Sequence, residues 1–308
     1  MTTLPSTHTL QCLEASARLG SFTAAAKELH LTQGAVSRQL QSLEQLLGVP
    51  MFDRGGQGLK LTVAGDAYLA DIKALLLGLE RATSRVRLQA GRGGVLNLSI
   101  PASWGNFWLI PRLPSFHEKH PQISINLMTR VGPADFSLGG LDAAVEYRPS
   151  TPANHAEAGD FLMPLILQPY ATSAWLKTHA WDQAFLQRYG SFLLQHTTVP
   201  HAWRGWLTYA YGEPFATTIP VQGPKFELMS MCMSAAAQDF GTALLPKFMA
   251  QSLVRARKLK CLSVASWQAP GGYFLRASPL LRSEGGFNVL RNWLLDQAIA
   301  LKRDNGRY

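Results

Sequence analysis

Only three cysteines, Cys12, Cys232 and Cys261, occur in 308 residues. They form no CxxC pair and have no histidine at ligand spacing, which excludes a zinc finger, a zinc ribbon and a disulfide framework. Each reads as a free, buried thiol. A redox pair of Cys232 and Cys261 stays open as the alternative, although nothing around them favours a lowered thiol pKa. Long apolar runs are missing too: none approaches the roughly 20 residues that span a bilayer. Met1-Thr2-Thr3-Leu4-Pro5 lacks the basic head and apolar core of a signal peptide. The expectation is a cytoplasmic protein with no membrane partner. There is no G-x-S-x-G elbow, no P-loop and no H-E-x-x-H, and the Ser, His and Asp residues follow no recognisable triad order. The chain is therefore expected not to be an enzyme and to need no metal or cofactor. Triads require no local motif, so an unmarked site in the C-terminal half stays open.

Charge is sparse. Only 16% of residues are charged, with 29 Lys and Arg against 20 Asp and Glu, a net charge of +9. Such a balance favours a polyanionic partner without identifying one. The excess does not sit at the N-terminus, where Arg18, Lys27, Arg38, Arg54 and Lys60 face Glu14, Glu28, Glu44 and Asp53 within residues 1–62. Specificity toward such a partner would thus come from a dimer or tetramer rather than from one strongly basic patch. The run from Arg255 to Lys260 reads as a solvated helix end, where cations are favoured. The length and a 47% hydrophobic composition suit a globular protein of two or three domains.

Phe22 to Leu47 is the most informative stretch. Phe22, Ala25, Ala26 and Leu29 fall at i, i+3, i+4 and i+7 and share one helical face. His30-Leu31-Thr32 makes a turn, with Thr32 as a good N-cap for the next helix. There Val36, Leu40, Leu43 and Leu47 repeat the apolar stripe, while Gly34, Arg38, Gln41 and Gln45 point away and Ser37 flanks them. The outward set offers donors and acceptors suited to base edges and phosphates. A helix-turn-helix fits this better than an ordinary helical hairpin. A first helix from about Ser6 to Arg18 precedes it. After Gly48-Val49-Pro50, two short strands around Gly55-Gly56-Gln57-Gly58 form a wing, on which Arg54 and Lys60 can reach the DNA backbone or minor groove.

Thr62 can cap a long helix to about Gln89, roughly 42 Å at 1.5 Å per residue. Tyr68, Ile72, Leu75, Leu79, Ala82 and Val86 are spaced 4, 3, 4, 3, 4 along it, a coiled-coil seam. A helix packed on its own domain would give the same stripe. Dimerisation through this helix would hold two recognition helices at fixed spacing and call for a two-fold-symmetric DNA site. Gly91-Arg92-Gly93-Gly94 is the expected hinge. Beyond it strands (Val95–Ile100, Ile123–Thr129, Ala143–Tyr147, Leu165–Tyr170, Ser191–Gln195, Thr242–Leu245, Leu259–Ser263, Tyr273–Ala277) alternate with helices. The helices are Trp104–His120 capped by Ser103, Ala202–Tyr211, Phe226–Gln238, Lys247–Arg255 and Phe287–Lys302. This predicts an α/β domain with mainly parallel sheets.

Leu10 to Leu69, centred on SFTAAAKELHLTQGAVSRQLQSLEQLLGVPMFDRGGQGLKLTVAG, resembles the DNA-binding domain of LysR-type transcriptional regulators. GVLNLSIPASWGNFWLIPRLPSFHEKHPQISINL resembles the start of that family's effector-binding domain, and LDAAVEYR its DLAI-R-Y segment. Within the family the chain looks closest to the branch of glycine-cleavage and β-lactamase activators. The resemblance implies an α+β multi-domain protein. Residues 1–61 would be a winged helix-turn-helix and 62–90 the linker and dimerisation helix. Residues 91–308 would be a periplasmic-binding-protein-like domain, with lobe I at 91–163 and 268–308 and lobe II at 164–267. It implies a DNA-binding regulator, probed at a dyad promoter site and answering a small effector. Double-stranded DNA, a homotetramer and RNA polymerase are the implied partners. Residue by residue, Gln33, Gly34, Ser37 and Arg38 fall on base- and phosphate-reading positions, with Gln41 on the same face. Thr32 and Ser21 fall on phosphate contacts at helix N-termini, and Arg54 on the wing contact. Gly34 departs from the Ser or Pro common there, which puts the base read at that point in doubt. The rival reading is a small-molecule-binding protein whose N-terminal helices serve only assembly.

In open α/β folds small ligands bind at the carboxyl ends of strands near helix N-termini. Ser103 and Trp104 are the candidates there, unless Ser103 is only an N-cap and Trp104 only core. Thr129 and Arg130, Tyr147 and Arg148, and His196 beside Gln195 in the other lobe would face them, with Phe226 and Glu227 opening a helix. Arg130 or Arg148 would pair a carboxylate, unless each is solvated surface; His196 would otherwise be a structural histidine. The effector would be an anionic metabolite such as an amino or organic acid. The aromatic density at Trp104, Phe107 and Trp108 suggests it is partly apolar, if those rings are not all core.

Overall fold

Ser6, Ser21 and Thr32 start three successive helices by the same chemistry. In the computed structural model each side-chain oxygen accepts a hydrogen bond from the amide three residues on, at 3.1, 3.3 and 3.2 Å. The helices are α1 (Thr7–Leu19), α2 (Phe22–Glu28) and α3 (Gln33–Leu47). Gly20 and Gly48 close α1 and α3 at φ 61° and 71°, where a side chain would be strained. The structure describes residues 4–53, 59–90, 93–130, 132–136, 140–149, 159–279 and 285–305. Chain contacts divide it into two compact units, 1–86 and 87–308.

In the first unit, Cys12, Leu13, Ala25, Ala26, Val36, Leu40 and Leu43 form a closed core with Met51, Phe52 and Leu69. The strands β1 (Phe52–Asp53) and β2 (Lys60–Leu61) pair antiparallel. The Glu44 carboxylate accepts the Met51 and Phe52 amides at 2.8 and 3.4 Å, tying the start of this hairpin to α3. Then α4 (Val63–Gln89) follows. Thr62 caps it by accepting the Gly65 amide at 3.0 Å, and donates to Pro50 O at 2.7 Å. Gly65 has to be glycine: a Cβ there would lie 2.2 Å from Met51 O. Ile72 is buried on α4, but Leu75, Leu79 and Val86 are 66%, 49% and 64% exposed. Intrachain packing accounts for the first part of the apolar stripe and leaves the rest open. Of the expected hinge, Gly91 and Arg92 lie outside the described residues; Gly93 turns at φ 79° directly before the next strand.

The second unit is one sheet covered by helices. Its strands are β3 (Gly94–Ile100), β4 (Ile123–Thr129), β5 (Ala143–Arg148), β6 (Asp160–Ala171), β7 (Leu193–His196), β8 (Lys225–Phe226), β9 (Thr242–Pro246), β10 (Lys260–Cys261) and β11 (Trp267–Ala277). They lie in the order β4-β3-β5-β11-β6-β9-β7-β8, with β10 beside β6. The sheet is mixed, not mainly parallel. β3 pairs β4 and β5 in parallel, and β7 pairs β8 and β9 in parallel. The long strands β6 and β11 join these groups and pair antiparallel with every neighbour. β11 meets β5 through Gly272–Ala277, and β6 meets β9 through Leu167–Tyr170. Their mutual register breaks between Gln268 and Gly272. Pro270 sits in that break, where its missing N–H costs no ladder bond.

The helices are α5 (Ala102–Trp104), α6 (Leu113–Lys119), α7 (Ser173–Thr178), α8 (Gln183–Arg188), α9 (Ala202–Tyr211), α10 (Glu213–Thr218), α11 (Met229–Ala237), α12 (Lys247–Arg255) and α13 (Gly285–Asn305). The expected single helix over 104–120 is broken: a π-turn at Gly105–Leu109 and a 3-10 turn at Ile110–Arg112 separate α5 from α6. Pro111 has no amide to give, and the Ile110 amide reaches back to Gly105 O, five residues away. Ser103 does not cap this helix; Pro101 occupies the cap position without a side-chain bond. The helix expected from Phe226 begins at Met229, and Phe226 closes β8 instead. Short α7, α8 and α10, hidden from periodicity by their length, pack an aromatic group around Trp175, Trp181, Trp203 and Trp206. No helix among the described residues is long and apolar enough to cross a membrane.

Candidate functional site

The first candidate surface is the outer face of α3. Val36, Leu40 and Leu43 are buried, which leaves Gln33, Gly34, Arg38, Gln41 and Gln45 exposed and Ser37 half-buried. Arg38 Nε donates to Gly34 O at 3.3 Å, so the guanidinium is held along the helix with its terminal nitrogens unbonded among the described residues. Gly34 has nothing within 4 Å of where a Cβ would stand. The fold therefore does not require glycine there; a closely approaching partner would. Ser21 and Thr32 are the caps of α2 and α3, and their hydroxyl oxygens already accept one amide each. Lys60 is exposed on β2 opposite Asp53. Arg54 lies outside the described residues.

The second candidate is a cavity of about 310 Å3 between the β3-β4-β5 and β7-β8-β9 ends of the sheet. Its walls include Ser103, Trp104, Arg130, Tyr147, Arg148 and His196, six of the eight residues expected from sequence. Thr129 and Phe226 do not line it. Thr129 is exposed at the end of β4, and Phe226 packs against the core, because its helix starts three residues late. The cavity also brings in Glu146, Glu227, Leu228, Met229, Tyr273 and Arg276, which no local pattern marks as a group. Glu146 is only 8% exposed, and Arg276 sits 130 positions away in sequence. Only the β5–β11 pairing brings them together.

Several polar groups in these walls are already engaged. Trp104 is fully buried, stacked on Trp108 at 4.6 Å, and its indole N–H points to Met163 Sδ at 3.4 Å. It is a core wall of the cavity. The Tyr147 hydroxyl donates to Pro270 O at 2.7 Å, fixing the break in β11. Burial pushes its pKa up to about 12, so it stays a donor. Burial also depresses His196 to about 4, against a weaker opposing contribution from a hydrogen bond with the Glu227 backbone, so its ring is neutral near pH 7. Its Nδ1 shares a hydrogen bond with Thr198 Oγ1 at 2.8 Å. Glu146 accepts the Ala134 amide and pairs with Arg276 at 3.2 Å. Arg130 and Arg148 make no ion pair among the described residues. Apolar Val145, Leu165, Val199 and Met229 complete the walls. Such a mixture suits a small molecule with an acidic group at the arginine end and an apolar body.

Of the cysteines, burial raises the pKa of Cys12 and lifts that of Cys232 to about 12. Cys232 Sγ donates weakly to Gln195 O and Cys261 Sγ to Ser263 O. A raised pKa leaves Cys12 and Cys232 as thiols rather than reactive thiolates.

Residues 7–66 match the family profile described as bacterial regulatory helix-turn-helix protein, lysR family. Residues 89–298 match that of the LysR substrate binding domain. The glycine cleavage system transcriptional activator of Escherichia coli (strain K12) is 32% identical over 302 residues, 96% of this chain and 95% of that protein. The carbapenem-hydrolyzing β-lactamase transcriptional activator of Enterobacter cloacae is 26% identical over 294 residues, 94% and 95% of the two. In fold, the effector domain of the transcriptional regulator AmpR of Pseudomonas aeruginosa superposes with a TM-score of 0.58 at 23% identity, over 70% of this chain and all of that one. The full-length Vibrio cholerae virulence activator AphB gives 0.57 at 18% identity, over 96% and 99%.

Proposed function

This chain belongs to the LysR family of bacterial helix-turn-helix transcriptional regulators, and from that premise we propose how its own residues divide the work. It is a DNA-binding regulator with an effector-binding domain, which displaces the reading of the N-terminal helices as an assembly device alone. Residues 1–61 are the reader, 62–90 the linker helix, and 91–308 the effector domain, with lobe I at 91–163 and 268–308 and lobe II at 164–267. Gln33, Ser37, Arg38 and Gln41 read base edges and phosphates, Gly34 lets α3 approach the DNA closely, and Ser21, Thr32, Arg54 and Lys60 hold phosphates. Two copies pair through the exposed stripe of α4 and address a dyad site in the cytoplasm. Pairs of dimers form a tetramer, and RNA polymerase is the downstream partner. The chain is a regulator rather than an enzyme.

The effector is a small anionic metabolite with an apolar part, an amino or organic acid. One observation carries this: the cavity walls combine Arg130 and Arg148, without ion-pair partners among the described residues, with apolar Val145, Leu165, Val199 and Met229. Ligand binding shifts the population between arrangements of the two lobes and thereby the spacing of the readers. The test is to titrate amino and organic acids against a complex of the protein with its operator. An acid that changes operator affinity or footprint in the wild type and fails with Arg148→Gln supports the assignment. An acid acting equally on both places the effector elsewhere.

A further inference from the structure

A second cleft, of about 480 Å3, shares only His196 with the first. It lies at the carboxyl end of β7, beside Lys225 at the start of the parallel strand β8, and at the first turn of α9. In such folds anions are held at that place, by helix amides and strand-end side chains. Three basic residues line it, His201, Arg204 and Lys225, together with Thr197. No acidic residue lines the cleft, and none of the three makes an ion pair among the described residues. His201 occupies the cap position of α9 without a capping bond from its side chain.

Arg204 supplies an independent sign. Its Nη2 donates to Ile219 O at 3.3 Å, while Nη1 is buried with no hydrogen-bond partner among the described residues. A buried guanidinium N–H without an acceptor is costly. An anion beside Lys225 would offset the two like charges that Arg204 and Lys225 bring to this cleft. We propose that this cleft binds a small oxyanion, a phosphoryl or carboxyl group, held by Arg204 and Lys225 at the start of α9. The site is distinct from the effector cavity.

The test is equilibrium dialysis of the full-length protein against radiolabelled inorganic phosphate at low ionic strength, where such pairs are least screened. Saturable binding is expected, weakened about tenfold or more by Arg204→Gln and several-fold by Lys225→Gln, as expected for loss of a charge-assisted contact. Arg148→Gln, in the other cavity, should leave it unchanged. Thermal unfolding checks each variant; should Arg204→Gln not fold, the exposed Lys225 decides through its own variant. Unlabelled succinate and glycerol phosphate then compete for the bound label. Displacement by succinate assigns a carboxylate ligand, and displacement by glycerol phosphate alone assigns a phosphate ester. Absence of saturable binding overturns the proposal. So does binding that responds to Arg148→Gln and not to Lys225→Gln, which would place the ion in the first cavity.

Discussion

Ser103 caps a helix that is not its own. Its Oγ accepts the amide of Ser230 at 3.0 Å, in the first turn of α11, where the preceding Leu228 has no side-chain acceptor to offer. The bond ties α5 directly to α11 beside the effector cavity. N-cap hydroxyls contribute about 1 kcal/mol. Ser103→Ala should therefore lower the stability of the effector domain by about that amount, and its Tm by about 2–4 °C, while Ser103→Thr restores most of it. Calorimetry on the full chain checks this. A Tm unchanged in Ser103→Ala would mean the Ser103–Ser230 bond contributes nothing.

Gly34 stands in open space on the exposed face of α3. Gly34→Ala should raise stability by up to about 1 kcal/mol through helix propensity and still weaken operator binding several-fold, because the new methyl meets the DNA. Thermal unfolding and a binding titration read the two effects separately. Gain of stability with undiminished affinity would remove Gly34 from the interface.

His196 links stability to pH. The folded site protonates near pH 4 and the unfolded chain near 6.5, because burial penalises the imidazolium. The stability this provides is complete above about pH 6.5 and is lost as the pH falls toward 4. The loss from this one group is on the order of 3 kcal/mol. Urea unfolding of wild type and His196→Gln between pH 7.5 and 4.5 should show the wild type losing more. Parallel curves would mean that His196 does not titrate as an excluded charge.

Leu75 and Leu79 remain exposed on α4 although Ile72 on the same stripe is buried. The double variant Leu75→Glu, Leu79→Glu should break the α4 pairing, halving the sedimentation mass of the tetramer while the chain stays folded. Unchanged mass would reject α4 as the dimer contact.

Sequence patterns revealed what local chemistry dictates. The caps Thr32 and Thr62, the buried stripe of α3 and the start of β4 follow from spacings of a few residues, and all stand where those spacings put them. The errors arose where distant groups decide. A parallel sheet follows from strand–helix alternation, yet β6 and β11 run antiparallel through its middle. Ser103 precedes a helical pattern, but Pro111 distorts that helix and Ser103 bonds to Ser230. Phe226 looked helical because apolar residues follow, and pairing with β7 makes it the end of a strand. The cavity was half legible: Arg130, Tyr147 and Arg148 sit at strand ends, where ligands are expected. Glu146 and Arg276, joined only through the sheet, gave no signal in either segment.

The most direct measurement is footprinting of the full-length protein on the DNA flanking its own gene, at about 0.15 M salt with competitor DNA, beside Arg38→Ala. Protection of two half-sites related by two-fold symmetry, lost in Arg38→Ala while the variant keeps its fold and mass, is the predicted result. Weak, sequence-indifferent binding that Arg38→Ala leaves unaltered would contradict the assignment of α3 as the reading helix.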